Sequence, residues 1–248
     1  MPAMVRFLIA LAAAIPLLVA SGSKDGARAE PAGSPVVVEL YTSQGCSSCP
    51  PADDFLGELA ARDGVLALSF HVDYWNYIGW EDPFSMPEAT ERQRAYRHAL
   101  GLRVAYTPQM VIDGRSDAVG SNRGAVEAAI AAAAANVHVR VAFAGDAASG
   151  YRVRLPETAL DAPATVWAVL YDRRHETAVK RGENTGRTIR NSNVVRGLIE
   201  LARWDGAATE IPLAIDPELT AGRDACAVIV QQDESGPVLG AATMALTP

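Results

Sequence analysis

Between Pro35 and about Asn136, short apolar runs alternate with stretches of helical period. Residues 36–41 (VVVELY) are compact and β-branched, which predicts a buried strand. Residues 51–62 place Phe55, Leu56, Leu59 and Ala60 at helical spacing, and Asp63-Gly64 supplies the stop. Residues 65–72 (VLALSFHV) predict a second buried strand. The polar stretch 87–100, closed by Gly101, predicts a second helix. Residues 110–112 and 117–119 flank Asp113-Gly114 and predict a hairpin. Ser121 or Asn122 then caps an alanine-rich last helix, in which Val126 and Ile130 share a face. The order β, α, β, α, β, β, α predicts a mixed sheet with helices on its faces over residues 35–136.

After Asn136 the helical signals fade. VHVRVAF, YRVRLP, TVWAVLYD, TEIPLAI, ACAVIVQ and VLGAATMAL alternate or run apolar between turn residues. Such spacing predicts an antiparallel β-sandwich over residues 137–248. No internal repeat is visible, and the alanine run 131–135 belongs with the preceding helix.

Composition narrows the class. The 248 residues are 49% hydrophobic and 21% charged, ordinary for one large or two modest globular domains. A net charge of −7 argues against general nucleic-acid binding, which needs a positive field. Residues 1–29 read as a secretory signal: Arg6 precedes an uncharged run from Phe7 to Ala20, and Ala27-Arg28-Ala29 offers a cleavage site. That run is too short to span a bilayer. Its removal takes Arg6, Lys24, Arg28 and Asp25, a net +2, and moves the charge from −7 to −9. The expected location is the periplasm or the medium, where disulfides persist, with no transmembrane segment in the mature chain.

Cys46-Ser47-Ser48-Cys49 follows the first strand and opens the first helix. C-x-x-C at a strand-to-helix turn reads as a thioredoxin-like redox motif. Two intervening residues let both sulfurs meet in the first turn, and the N–H groups of a helix start stabilise a thiolate. Cys46 is the expected attacking thiol and Cys49 the resolving one. Half of a zinc site and an inert structural disulfide are the competing readings of such a pair. The four histidines, His71, His98, His138 and His175, form no ligand pair, and Cys226 sits in an apolar run as a buried small hydrophobe.

Thr107-Pro108 precedes the strand QMVID, where proline cannot donate to a ladder. With this element order, the region 35–136 resembles the thioredoxin fold. That resemblance implies a cis Thr107–Pro108 bond packed opposite the cysteines. Ser47-Ser48, the double proline Pro50-Pro51 and the long insert after the second strand depart from its usual pattern. CSSCPPAD, HVDYWNYIGWEDPF and RGENTGRTIRNSNVVR are together similar to an uncharacterised bacterial secreted family, domain of unknown function 1223. That resemblance spans essentially the whole mature chain and brings no established substrate.

Two local anomalies remain. Phe70, Tyr74, Trp75, Tyr77, Trp80 and Phe84 fall within 15 residues, in a chain with 5 Phe, 4 Trp and 7 Tyr. Such density in a loop predicts that it covers or binds something. Trp75, Tyr77 and Trp80 are expected to wall a substrate groove beside Cys46, with Asp73 a candidate proton shuttle for Cys49. The alternatives are a packed interface for the aromatics and a turn or cap role for Asp73. The second anomaly is a +5 stretch between Arg173 and Arg203. It reads either as a salt-bridged loop or as an anion-binding patch of Arg181, Arg187 and Arg196.

These features predict an exported thiol–disulfide oxidoreductase acting on protein thiols and disulfides, or taking electrons from a donor protein. The redox-active pair itself serves as cofactor, and no metal is required. The alternatives are a non-enzymatic binding module with a structural C-x-x-C, and a Cu(I)-handling protein in which His71 joins the thiolates.

Overall fold

The computed structural model describes Met1, residues 33–146 and residues 149–246; apart from Met1, the signal segment expected at 1–29 lies outside the described residues. Residues from Pro31 to Pro248 form one compact unit. Its first strand, β1 (Val36–Thr42), is buried at every position, Glu39 and Thr42 included, because both of its faces are covered. Helix α1 (Pro50–Ala60) follows, then β2 (Val65–His71), α2 (Pro87–Ala99), β3 (Gln109–Ile112), β4 (Ser116–Val119) and α3 (Arg123–Ala134). Pro50 and Pro51 open α1, where the missing N–H groups cost nothing. The Asn122 side chain caps α3 by accepting from Ala125 N–H.

The period of two in β1 sorts side chains between two cores. Val36, Val38 and Leu40 meet Phe55, Leu56 and Leu59 of α1 and Val126 and Ile130 of α3. On the other face, Val37 and Tyr41 pack with Leu66, Leu68 and Phe70 and with Ala89 and Tyr96 of α2.

The later strands are β5 (Ala142–Ala144), β6 (Arg152–Leu155), β7 (Ala164–Ala178), β8 (Thr188–Trp204), β9 (Thr209–Pro212), β10 (Ala225–Gln232) and β11 (Val238–Ala245), with a short helix α4 (Pro217–Thr220) before β10. They do not build a sandwich set apart from the first half. One eight-stranded mixed sheet runs β11-β10-β7-β8-β2-β1-β3-β4, and a three-stranded sheet, β5-β6-β9, stands beside it. The expectation of a helix-flanked thioredoxin-like domain followed by an antiparallel β-sandwich is therefore overturned. The reason lies in β8. This 17-residue strand pairs antiparallel with β7 and joins β2 in parallel at Ser69↔Val194, so strands on both sides of residue 137 share one sheet. Its sequence, TIRNSNVVRGLIELARW, carries four charges and two asparagines, and its pattern reads as a charged loop. Long partners and a hydrogen-bonded seam override that reading, because β-propensity is dominated by context.

Cys226 lies buried in β10 as an unpaired thiol, its pKa pushed by burial to about 12. Among the described residues no helix is long and apolar enough to cross a membrane.

Candidate active site

The segment between β1 and α1 brings Cys46 and Cys49 together. They form a disulfide, with Cα atoms 5.5 Å apart, at the head of α1. Cys49 is the residue before the first helical turn, and its carbonyl accepts from Ala52 N–H at 2.8 Å and Asp53 N–H at 3.1 Å. Both cysteines are buried, whereas Ser47 and Ser48 between them face solvent. Cys46 Sγ lies 3.4 Å from Thr107 Oγ1, which donates to it, and 3.3 Å from Ser48 Oγ. The Thr107–Pro108 peptide bond is cis.

The aromatic insert closes over this turn. Trp75 Nε1 donates to Thr107 Oγ1 at 2.8 Å, and Trp80 Nε1 donates to Gln44 Oε1 at 3.2 Å. A Cβ placed on Gly45 would sit 3.3 Å from both Trp75 Cβ and Ile78 Cδ1, so the glycine permits close approach of the insert. Tyr77 points out at 83% exposure. Asp73 is engaged with α2: its carboxylate accepts from Thr90 Oγ1 at 2.6 Å, and its N–H donates to the same oxygen.

The three arginines do not form one patch through shared partners. Arg187 donates to Asn184 Oδ1 at 3.3 Å, Arg181 stands exposed on the β7–β8 turn, and Arg196 lies over the Phe84 ring at 5.2 Å. The turn matters through a residue that composition does not flag. Asn184, 1% exposed, donates from Nδ2 to the carbonyls of Gln44 and Cys46, both at 2.9 Å. Beside it, Glu183 accepts from Ser47 N–H at 3.2 Å. The β7–β8 turn thus clamps the disulfide loop, and a shallow cleft lined by Pro50, Asp54, Arg187, Thr188, Ile189 and Arg190 opens next to it.

Behind the disulfide lies a buried polar group that the sequence reading did not assemble. Asp53 is 3% exposed, one turn beyond Cys49, and its Oδ1 accepts from Thr42 Oγ1 at 2.9 Å. Burial pushes its carboxyl up to about 7, against the opposing pull of His71 and the Thr42 hydrogen bond. His71, fully buried, contacts Asp82 Oδ2 through Nδ1 at 2.7 Å. Burial alone would lower the imidazole pKa, but the charge and hydrogen bond of Asp82, joined by the charge of Asp53, outweigh it and hold it raised. Burial works against the Asp82 carboxylate too, yet His71 and the N–H groups of Gln44 and Phe84 hold its pKa low. One signal for Asp53 was available: a carboxylate at i+4 from Cys49 must share its helix face, among Ala52, Phe55 and Leu56. No local signal reveals that Asp82 of the insert reaches His71.

No curated protein matches the chain. The crystal structure of protein AGR_C_4864 from Agrobacterium tumefaciens is similar at 32% identity and a TM-score of 0.71, covering 84% of this chain and 93% of that one. The likeness thus extends across both halves as one architecture. HBP35 of Porphyromonas gingivalis is similar in fold, with a TM-score of 0.56 at 15% identity over 86% of this chain and 76% of that one. The model of a family described as protein of unknown function, DUF1223, matches residues 37–231, a span that holds the disulfide, the insert and the clamping turn. The chain belongs to the DUF1223 family.

Proposed function

We propose that the protein is an exported thiol–disulfide oxidoreductase in which the Cys46–Cys49 pair exchanges disulfides with protein or small-thiol partners. The observation that carries this reading is the placement of the pair: a disulfide at the head of α1, with a hydroxyl donor on Cys46 Sγ and a buried carboxylate one turn beyond Cys49. A structural role gains little from such a bond. Closing a ring of so few residues removes only about 2 kcal/mol of chain entropy, against about 4.7 kcal/mol for a 100-residue loop. In reduction, a partner thiolate attacks Cys46 Sγ, the S–S bond breaks toward Cys49, and a mixed disulfide forms on Cys46. A second thiol of the partner then attacks the partner sulfur of that mixed disulfide, the partner leaves as a disulfide, and Cys46 is released as a thiolate. In the opposite direction, a mixed disulfide formed by reduced Cys46 on a substrate disulfide is resolved by Cys49, which re-forms the Cys46–Cys49 bond and releases the substrate thiol. The export assignment rests on residues 1–29.

Trapping tests this. Reduced Cys49→Ser protein mixed with a disulfide-bonded peptide accumulates a covalent adduct on Cys46, read by intact mass, and Cys46→Ser accumulates none. Equal behaviour of the two variants, at the background rate, overturns the proposal. The burial of both cysteines favours a second reading, a structural disulfide in a binding module. That reading predicts no adduct until the insert is unfolded.

A further inference from the structure

The turn between β7 and β8 is built to hold a fixed shape, and it is built against the redox loop. Val179 N–H donates to Arg187 O and Gly186 N–H to Val179 O, both at 2.9 Å, which closes the turn at its base. Thr185 Oγ1 donates to Gly182 O at 2.6 Å and braces it from within. Gly182, at φ +75°, sits where an added Cβ would come within 3.1 Å of Trp80 Cβ, so the turn lies directly on the aromatic insert. This frame aims two consecutive side chains at a single peptide unit, the one that joins Cys46 to Ser47. The carbonyl of that unit accepts from Asn184 Nδ2 at 2.9 Å, and its N–H donates to Glu183 Oε2 at 3.2 Å.

The two contacts differ in kind. Asn184 is buried and satisfies backbone carbonyls, as a fold requires. Glu183 is exposed, and a charged contact in water adds little stability. Lys180, Arg181 and Arg187 share its turn, yet among the described residues its carboxylate pairs with the Ser47 amide and with no cation. What the contact does supply is a negative charge beside the first cysteine. Four covalent bonds separate Ser47 N from Cys46 Sγ, which puts Glu183 Oε2 at most about 8 Å from the sulfur. We propose, resting on the exchange reading above and deepening it, that Glu183 is a positioning residue that disfavours the Cys46 thiolate, so that the β7–β8 turn sets how readily the pair is reduced.

The disulfide itself carries no charge, and reduction brings charge to the site. Two small-thiol molecules give up two electrons and two protons and become one disulfide. The Cys46–Cys49 bond takes those electrons and opens; one proton goes to Cys49, the other to solvent, and a thiolate stands on Cys46. The N–H groups at the head of α1 favour that thiolate, and the Glu183 carboxylate works against them. The other charged groups around the loop have their own places. Arg187 donates to Asn184 Oδ1, Arg190 pairs with Glu176 at 3.1 Å, Asp54 lines the cleft, and Asp53 and the His71–Asp82 pair lie behind the disulfide. Neutralising Glu183 leaves each of these contacts as it is. One charge at about that distance, in surroundings between water and protein, shifts the thiolate-to-thiol ratio roughly 3- to 10-fold.

The test follows the Cys46 Cβ carbon by ¹³C NMR against pH in the reduced full chain, unmutated and as Glu183→Gln, which keeps an acceptor for Ser47 N–H and removes the charge. The expected result is a Cys46 midpoint lower by about 0.5–1 unit in Glu183→Gln, and lower again in Glu183→Lys. Equilibration with glutathione then favours the reduced pair of Glu183→Gln by up to the same factor, roughly 3- to 10-fold. Raising the ionic strength from about 0.05 to 1 M shrinks the difference, as it must for an exposed charge. A midpoint that is the same in all three proteins, or a difference that salt leaves untouched, overturns the proposal and makes Glu183 a structural contact. A Glu183-dependent midpoint in a protein that forms no Cys46 adduct upholds the charge effect and defeats the exchange reading, so the two failures are told apart.

Discussion

The two faces of β1 each bury a carboxylate, and they treat it in opposite ways. On the α2 face, Glu39 accepts from Arg92 Nε at 2.6 Å and a second guanidinium nitrogen at 2.9 Å, from Tyr41 OH at 2.9 Å and from Tyr96 OH at 2.6 Å. Arg92 also reaches Gln231 Oε1 on β10, and Gln231 Nε2 returns to Tyr96 OH. None of these five side chains contributes a buried atom without a partner. On the α1 face, Asp53 has one anchored oxygen and one open, and His71 one engaged nitrogen and one open. The first arrangement ties β1, α2 and β10 together and leaves none of its polar atoms without a partner. The second accepts a desolvation cost next to a disulfide. Saturated burial locks a carboxylate into the fold; unsaturated burial leaves the Asp53 carboxyl with a pKa raised to about 7.

Breaking the saturated side produces the largest effect. Arg92→Met leaves Glu39 buried without its counter-charge, and removing one partner of a buried pair costs about 3–5 kcal/mol. Urea unfolding at neutral pH measures that loss, and the folded fraction keeps its disulfide reactivity. If Arg92→Met costs under about 1 kcal/mol, the two faces do not differ as described.

A smaller effect, of opposite use, is expected at Asp53. Its folded pKa near 7 lies above the usual unfolded value of about 3.9. Between those values the folded chain holds a proton that the unfolded chain has lost, so stability falls as pH rises from about 4 to 7. His71, also raised on folding, contributes with the same sign as pH climbs through its folded value. Asp82, lowered on folding, contributes the reverse, a loss confined to pH below about 4. Melting temperature against pH checks the sign. Asp53→Asn flattens the decline and is the more stable protein above pH 7.

The smallest expected change sharpens the link between the β7–β8 turn and the sulfurs. Asn184→Ala leaves the Gln44 and Cys46 carbonyls without their shared donor, a cost of about 2 kcal/mol. Dithiothreitol then reduces the loosened disulfide faster than in the unmutated protein, and an unchanged rate would show that the clamp does not control access.

The sequence makes legible whatever is local. β1, α1, β2, α2, the β3–β4 hairpin and α3 emerge from apolar period and stop signals, and Cys46 and Cys49 from their spacing alone. What stays hidden is long-range. β8 looks like a charged loop because alternate residues such as Arg190 and Glu200 face solvent, while its pairing with β7 and β2 decides its conformation. Asp73 looks suitable for the cysteines because it follows β2, but α2 supplies Thr90 and takes the carboxylate away. Asp53 looks like a helix-start acid, and becomes a site residue only once Thr42 and His71 close over it.

The central claim is that Cys46–Cys49 is a working redox couple, and equilibration against glutathione tests it most directly. The account predicts a reduction potential above about −300 mV and, once reduced, a Cys46 thiol more acidic than the free value of about 8.5. A potential below about −300 mV with no acidic, reactive thiol would contradict it and identify the bond as structural.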